Sequence, residues 1–227
     1  MSSPSSSGNR PFLVSAAQQG RPSPSQVRER LYQISLGAIR NQEFDSVPVS
    51  RITGESGVAK GTFFNYFPTK EHLLARVLDE MMDRAFQGEE GGPAGTDAIA
   101  AALDGLTGEL ADDPPLARAI IPRMAILPPP PRTMDADTDG SQPPPSGSER
   151  LRRWIRDRLA ESLRISVPLE EADDQTLSVL LLATFEITLR EWLATTHGEP
   201  PFPRRLLHGR IAYLLSSAGF PRPPQPT

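Results

Sequence analysis

The sequence predicts an all-α protein, in which an N-terminal three-helix helix-turn-helix domain is followed by a larger helical domain. Three observations predict it. Apolar residues recur at helical intervals in segments from Val27 to Leu215. The window FDSVPVSRITGESGVAKGTFFNYFPTKEHLL, from Phe44 to Leu74, holds two short apolar-patterned segments on either side of a Gly-Val turn. Finally, the breaker-rich stretches Gly88 to Thr96 and Pro128 to Ser148 interrupt the pattern without replacing it by another. The expected organisation is a disordered tail over residues 1–25, the helix-turn-helix unit over 26–70, the second domain over 71–220 with a flexible loop at 128–148, and a disordered tail over 221–227.

Taken in order, the first segment is rich in serine, glutamine, glycine and proline, and its apolar stretch from Phe12 to Ala17 is too short for a signal peptide or a membrane span. It reads as a disordered tail, or, because it holds Arg10 and Arg21 and no acid, as an arm for a minor groove. Helix 1 follows from the stripe Val27, Leu31, Ile34 and Ala38, and runs to about Arg40. A second helix begins near Pro48, with Val49 and Ile52 on its inner face, and Gly57 supplies the backbone freedom for the turn after Ser56. Val58 turns into the core. A third short helix opens at Gly61-Thr62 and puts Phe63 and Phe67 inward, leaving Lys60, Thr62, Asn65 and Tyr66 on or near the outer face. Pro68 stops it. Thr69 is suited to cap a long fourth helix with the stripe Leu73, Leu74, Val77, Leu78, Met81 and Met82.

Phe44-Asp45, Ile52, Gly57-Val58, Lys60-Gly61-Thr62, Phe67, Lys70-Glu71 and Leu73-Leu74 occur in the order found in TetR/AcrR-type transcriptional regulators, and residues 26 to 86 resemble the N-terminal domain of that family. The resemblance implies double-stranded DNA as partner, a homodimer, and a helical effector-binding and dimerisation domain over residues 71–220. It also implies a mechanism, in which an unidentified small-molecule effector changes the separation of the two readers and releases DNA. The chain departs from the family pattern at four places. Val47-Pro48 and Ala59 stand where hydroxyl caps are usual, Phe64 where tyrosine is common, and Glu43 where a glycine usually ends helix 1. Fewer phosphate hydrogen bonds are therefore expected, with a cost of about 1 kcal/mol at Glu43 if its backbone is left-handed.

The expected DNA-binding residues are Ser50, Arg51, Lys60, Gly61, Thr62, Asn65, Tyr66 and Lys70. Lys60 and Lys70 are the chain's two lysines, arginine supplying the other 22 basic residues. Asn65 is suited to read a base edge, or equally to stand solvated, and Tyr66 can instead stack on Phe63. A formal charge of -4 excludes a generic nucleic-acid coat, so affinity must come from a local patch. With no cysteine the chain has neither disulfides nor thiolate sites, which fits a reducing cytoplasm. His72, His197 and His208 are far apart, no metal-ligand spacing is present, and no acid-base or nucleophile set appears, so neither enzyme activity, metal nor cofactor is expected.

In the second domain, helices are expected over residues 97–111 and 115–127, with Pro122 kinking or splitting the latter, and over 149–164. The arginines Arg150, Arg152, Arg153, Arg156 and Arg158 of that last helix form a solvated face offset by Asp157 and Glu161, or else attract an acidic ligand or DNA. Helix 8, with Glu170, Glu171, Asp173 and Asp174 at its start, is apolar almost all round from Leu177 to Ile187. It must be buried on two sides. One solution is a homodimer in which helix 8 and the final helix, with Leu181 and Leu214 at the contact, meet their copies; the other is burial within a monomer. Met124, Trp154 and Phe185 are candidate walls of an effector pocket, or ordinary core. A ligand-responsive regulator, most simply a repressor of a near-palindromic operator, is the leading expectation. An architectural or division-control protein answering to a protein partner is the alternative. An apolar cavity within helices 5 to 8 would favour the first, a filled core with an exposed apolar patch the second.

Overall fold

The computed structural model describes residues 22–86, 94–131, 145–165, 174–197 and 201–224. The N-terminal arm with Arg10 and Arg21, the acids Glu170, Glu171 and Asp173, and most of the two breaker segments lie outside them. Among the described residues all regular structure is helical.

α1 (Pro24–Asn41) starts in a capping box: the Gln26 amide donates to Ser23 Oγ and the Ser23 amide to Gln26 Oε1. Its buried face is Leu31, Tyr32, Ser35, Leu36, Ala38 and Ile39, so Val27 and Ile34 are only its flank. The Ser35 hydroxyl is accommodated because it donates to the Leu31 carbonyl. α1 ends at Gln42 in extended backbone, and Glu43 has a φ of -59°. The left-handed cost expected at Glu43 is therefore absent. A single turn of tighter helix, Phe44–Ser46, leads to α2 (Val49–Ser56) and α3 (Lys60–Tyr66). Gly57 between them has a φ of 69°, the left-handed conformation that closes the turn.

α4 (Glu71–Phe86) buries the whole expected stripe from Leu73 to Met82, packs on α5, α6 and α7, and is tied to α1 by the Tyr32 hydroxyl donating to Glu80 and by the Arg76–Glu29 ion pair. At its start, the Thr69 amide donates to His72 Nδ1 at 3.1 Å. The second domain comprises α5 (Gly95–Asp112), α6 (Pro114–Ile120), α7 (Gly147–Ile165), α8 (Asp174–Thr196) and α9 (Arg204–Ser217). Pro122 splits the sixth element as expected, because a proline has no amide to continue the ladder; residues Ile121–Ile126 form a tighter helix beyond it. Ile99, Leu103, Leu106 and Leu110 of α5 and Ile155 and Leu159 of α7 are fully enclosed.

The α7 arginines pair locally. Arg150 bridges Asp79 and Asp83 of α4, Arg152 and Arg153 both bind Glu149, Arg156 binds Asp157, and Arg158 binds Glu161. Glu149 is held down to about 2 by the hydrogen bonds from Arg152 and Arg153. The expected offset by Asp157 and Glu161 is present for Arg156 and Arg158, but Arg150, Arg152 and Arg158 are largely covered, so the arginines do not form one solvated face.

α8 buries Leu177, Leu181, Phe185, Leu189 and Trp192 in its own protomer. Leu181 has no exposed surface and Leu214 is half-buried against the same core, so neither leads an outer contact. The residues left outside are Val179, Leu180 and Ile187 on α8 and Leu206 and Tyr213 on α9. Leu180 and Ile187 are seven apart, as are Leu206 and Tyr213. That spacing puts each pair on one face of its helix.

Candidate nucleic-acid interface

The reader is built on three aromatic anchors. Phe63 and Phe67 are fully buried, their rings 5.6 Å apart, and Phe44 is buried beneath the turn before α2. With Phe63 turned inward, helical geometry sends Gly61 and Asn65, two positions to either side, outward; both are exposed, as are Lys60 and Phe64, and Thr62 is half-buried. Tyr66 is half-buried and packs against the core. On α2, Ser50 is exposed and Arg51 donates to Glu55 at 2.8 Å. Neither Pro48 nor Ala59 supplies a side-chain cap.

Phe64 is 40% exposed and meets Phe63 edge-on at 5.4 Å. A phenyl ring at the surface of a reader offers contact area but no hydrogen-bond donor. Gly61 is informative for a different reason. A Cβ built there meets nothing within 4 Å. Its backbone is helical, where a glycine is disfavoured by up to about 1 kcal/mol against alanine, and the same open space surrounds the helical Gly37, Gly54 and Gly209. What the missing side chain keeps clear is the outer surface.

Lys70 is placed differently from expectation. Its ammonium donates to the carbonyls of Phe44 at 2.6 Å, Val47 at 3.2 Å and Asp45 at 3.3 Å, and lies 4.4 Å from the centre of the Phe44 ring. An ammonium has three N–H donors, and all three are used. The residue pins the turn before α2 onto the start of α4, which displaces its expected role as a phosphate anchor. Among the described residues Lys60 has no such partners and is exposed.

The sequence reading missed the joint between reader and second domain. Arg123, from the tighter helix after α6, binds Asp45 at 2.5 Å and also lies over the Phe44 ring, 4.9 Å from its centre. Arg40, at the end of α1, binds Asp113 at 2.7 Å. These partners are 78 and 73 residues apart, a separation at which no local pattern signals pairing. Of the proposed pocket residues, Met124 and Phe185 come together with Leu78, Met82, Leu106, Leu110 and Leu151 around a cavity of about 10 Å³. Trp154 is not among them; it stacks on Phe86 at 4.5 Å. Among the described residues no group of three or more histidine or carboxylate side chains could hold a metal ion, and no helix is long and apolar enough to cross a membrane.

Residues 38–77, from the end of α1 through the reader into α4, match the family described as bacterial regulatory proteins, tetR family. The chain carries the TetR-family DNA-binding domain. Its fold is that of TetR-family regulators along most of its length. A TetR transcriptional regulator from Rhodococcus sp. RHA1 superposes with a TM-score of 0.58 at 21% identity, over 85% of this chain and 98% of that one. FadR of Thermus thermophilus, a TetR-family repressor whose structure is in complex with lauroyl-CoA, gives 0.61 at 19% identity, over 88% and 99%. The TetR regulator TylP of Streptomyces fradiae gives 0.59 at 18% identity, over 86% and 88%. No curated protein sequence matches the chain significantly.

Proposed function

We propose that the protein is a homodimeric, ligand-responsive repressor that releases a near-palindromic operator when a small molecule binds. The observation that carries the DNA reading is the outer face of α3. Gly61 and Asn65, one turn apart, are exposed on a short helix held by the buried Phe63 and Phe67, and Lys60 is exposed at its first residue. In this reading Lys60 binds a phosphate, Gly61 lets the helix approach the backbone, Thr62 and Asn65 meet base edges, and Ser50 and Arg51 contact phosphates from α2. Lys70 acts behind them by fixing α2 against α4.

Dimerisation is supported by the exposed pairs Leu180/Ile187 and Leu206/Tyr213 on two helices that pack together. Four such helices, two from each protomer, bury these faces in one bundle. The response to a small molecule is supported by the fold shared with FadR of Thermus thermophilus, which holds lauroyl-CoA. A second reading, of an architectural protein answering to a protein partner, is favoured by the closeness of the core packing, since about 10 Å³ takes no more than one water.

Selection from random DNA duplexes tests the function. Recovery of a two-fold related sequence with half-sites about one helical turn or more apart is the expected result. Retention of duplexes with no shared sequence would refute the operator reading.

A further inference from the structure

The core around Met124 and Phe185 has no room for an organic molecule, but the joint beside it does. A groove of about 450 Å³ lies between the end of α1 with the turn after it and α6 with the turn after it. That volume is within the range of small-molecule sites, roughly 300 to 1,000 Å³. The rings of Pro115 and Pro122 are its exposed apolar surface, over a floor of the nearly fully buried Ile39, Phe44 and Ala119. Three arginines, Arg40, Arg118 and Arg123, face two carboxylates, Glu43 and Asp45.

Each of those guanidiniums has donors to spare. Arg40 gives its Nε to Asp113, Arg118 gives one N–H to the His197 carbonyl at 3.0 Å, and Arg123 serves the Ala119 carbonyl and Asp45. A guanidinium has five N–H donors, so among the described residues three or four remain on each. Asp45 is the weaker competitor for Arg123, because its side chain is 75% exposed. The combination is a mostly polar groove with two proline rings in its lining and planar, bidentate-capable cations at its rim, which suits a carboxylate or phosphate carried on a flat or compact hydrocarbon.

The geometry points to this groove as an effector site for a small organic anion. The inference rests on the regulator reading above and moves the effector from the closed core to the joint. One wall belongs to the reader and the other to the second domain, and the ion pairs Arg40–Asp113 and Arg123–Asp45 cross between them. A bound anion changes the partners of those arginines and favours the reader orientation that fits it best. A ligand shifts such an equilibrium only by its differential affinity for the two orientations, and contacts to both walls supply that difference. Arg118 extends the connection, since its carbonyl partner is at the end of α8.

The test uses the whole chain and three probes followed by fluorine NMR line broadening: 4-fluorobenzoate, 4-fluorophenyl phosphate and the neutral 4-fluorobenzamide. Arg118→Gln and Gln42→Trp alter the groove from opposite walls, and both positions are exposed, so circular dichroism should find the fold unchanged. The expected result is binding of at least one anion but not of the amide, weakened about tenfold or more by each substitution. Binding of neither anion, equal binding of the amide, or wild-type affinity in both variants would overturn the site. A second arm adds DNA: the bound anion should change DNA affinity in the wild type and not in the variants. An anion that binds in the groove and leaves DNA affinity unchanged would overturn the effector role. If the chain binds no DNA at all, the regulator reading fails, and the probe titrations still decide the site.

Discussion

Replacing Lys70 by methionine separates a structural ammonium from a DNA anchor. Methionine keeps most of the side chain's volume but removes the donors to the Phe44, Val47 and Asp45 carbonyls. The Asp45 carbonyl is exposed and water can replace the lysine there. The other two are partly buried, and an unsatisfied group of that kind costs about 1 to 3 kcal/mol at full burial. Taking the lower part of that range twice, and adding roughly 0.5 to 1 kcal/mol for the cation over the Phe44 ring, gives a loss of about 2 to 4 kcal/mol. For a chain of this length that lowers Tm by roughly 5 to 15 °C. The measurement is a thermal melt followed by circular dichroism, paired with fluorescence anisotropy on DNA at several salt concentrations, well below the melting range. Lys70→Met should melt early and keep the wild-type salt slope. An unchanged Tm with a slope shallower by about one unit per protomer would refute the structural role and restore the phosphate contact.

Four further outcomes are expected. Ile187→Glu should leave the protomer folded, since the residue is 53% exposed, and shift sedimentation from dimer to monomer; Leu181→Glu should instead unfold the protomer, because it buries a charge in the core. Gly61→Ala should hold or raise Tm, by up to about 1 kcal/mol of stability, while weakening DNA binding in anisotropy, and an unchanged affinity would remove the case for close approach there. Phe64→Tyr should tighten DNA binding by roughly 0.5 to 1.5 kcal/mol at an unchanged salt slope, or Phe64 does not face a phosphate. His72 is held below its ordinary 6.5 chiefly by burial, so the stability it contributes is present above that value and lost as pH falls through the folded one. Melts from about pH 7 to about pH 5 should show the decline, and His72→Gln, which keeps an acceptor for the Thr69 amide without titrating, should flatten it.

The helices and most of the reader were legible in the sequence because they depend on local periodicity and on residues with strong backbone preferences. Gly57 and Pro122 are the clearest cases, each fixing a break at its own position. Side-chain partnership was not legible. The lysine pattern located Lys70 in the reader but gave no sign that three carbonyls at distant positions would claim it, and the Arg123–Asp45 pair depends on a packing of α6 that no spacing encodes. The doubly apolar character of α8 was visible, but which leucine faced which way was not: one residue separates Leu181 in the core from Leu180 outside. A helix turns about 100° per residue, so a uniformly apolar segment contains no phase information.

The engagement of Lys70 also makes the protein selective toward amine chemistry. Acylating reagents and aldehydes attack the unprotonated ε-amine of an accessible lysine, and of the chain's two, one is held by carbonyls while Lys60 is exposed on α3. Apart from the α-amino group at the start of the chain, a mild amine-reactive dye should therefore mark one place, on the face proposed to meet DNA. Bound duplex should shield that place from the dye. Amine-directed cross-linking to DNA would likewise report on the reader, with little background from the 22 arginines elsewhere.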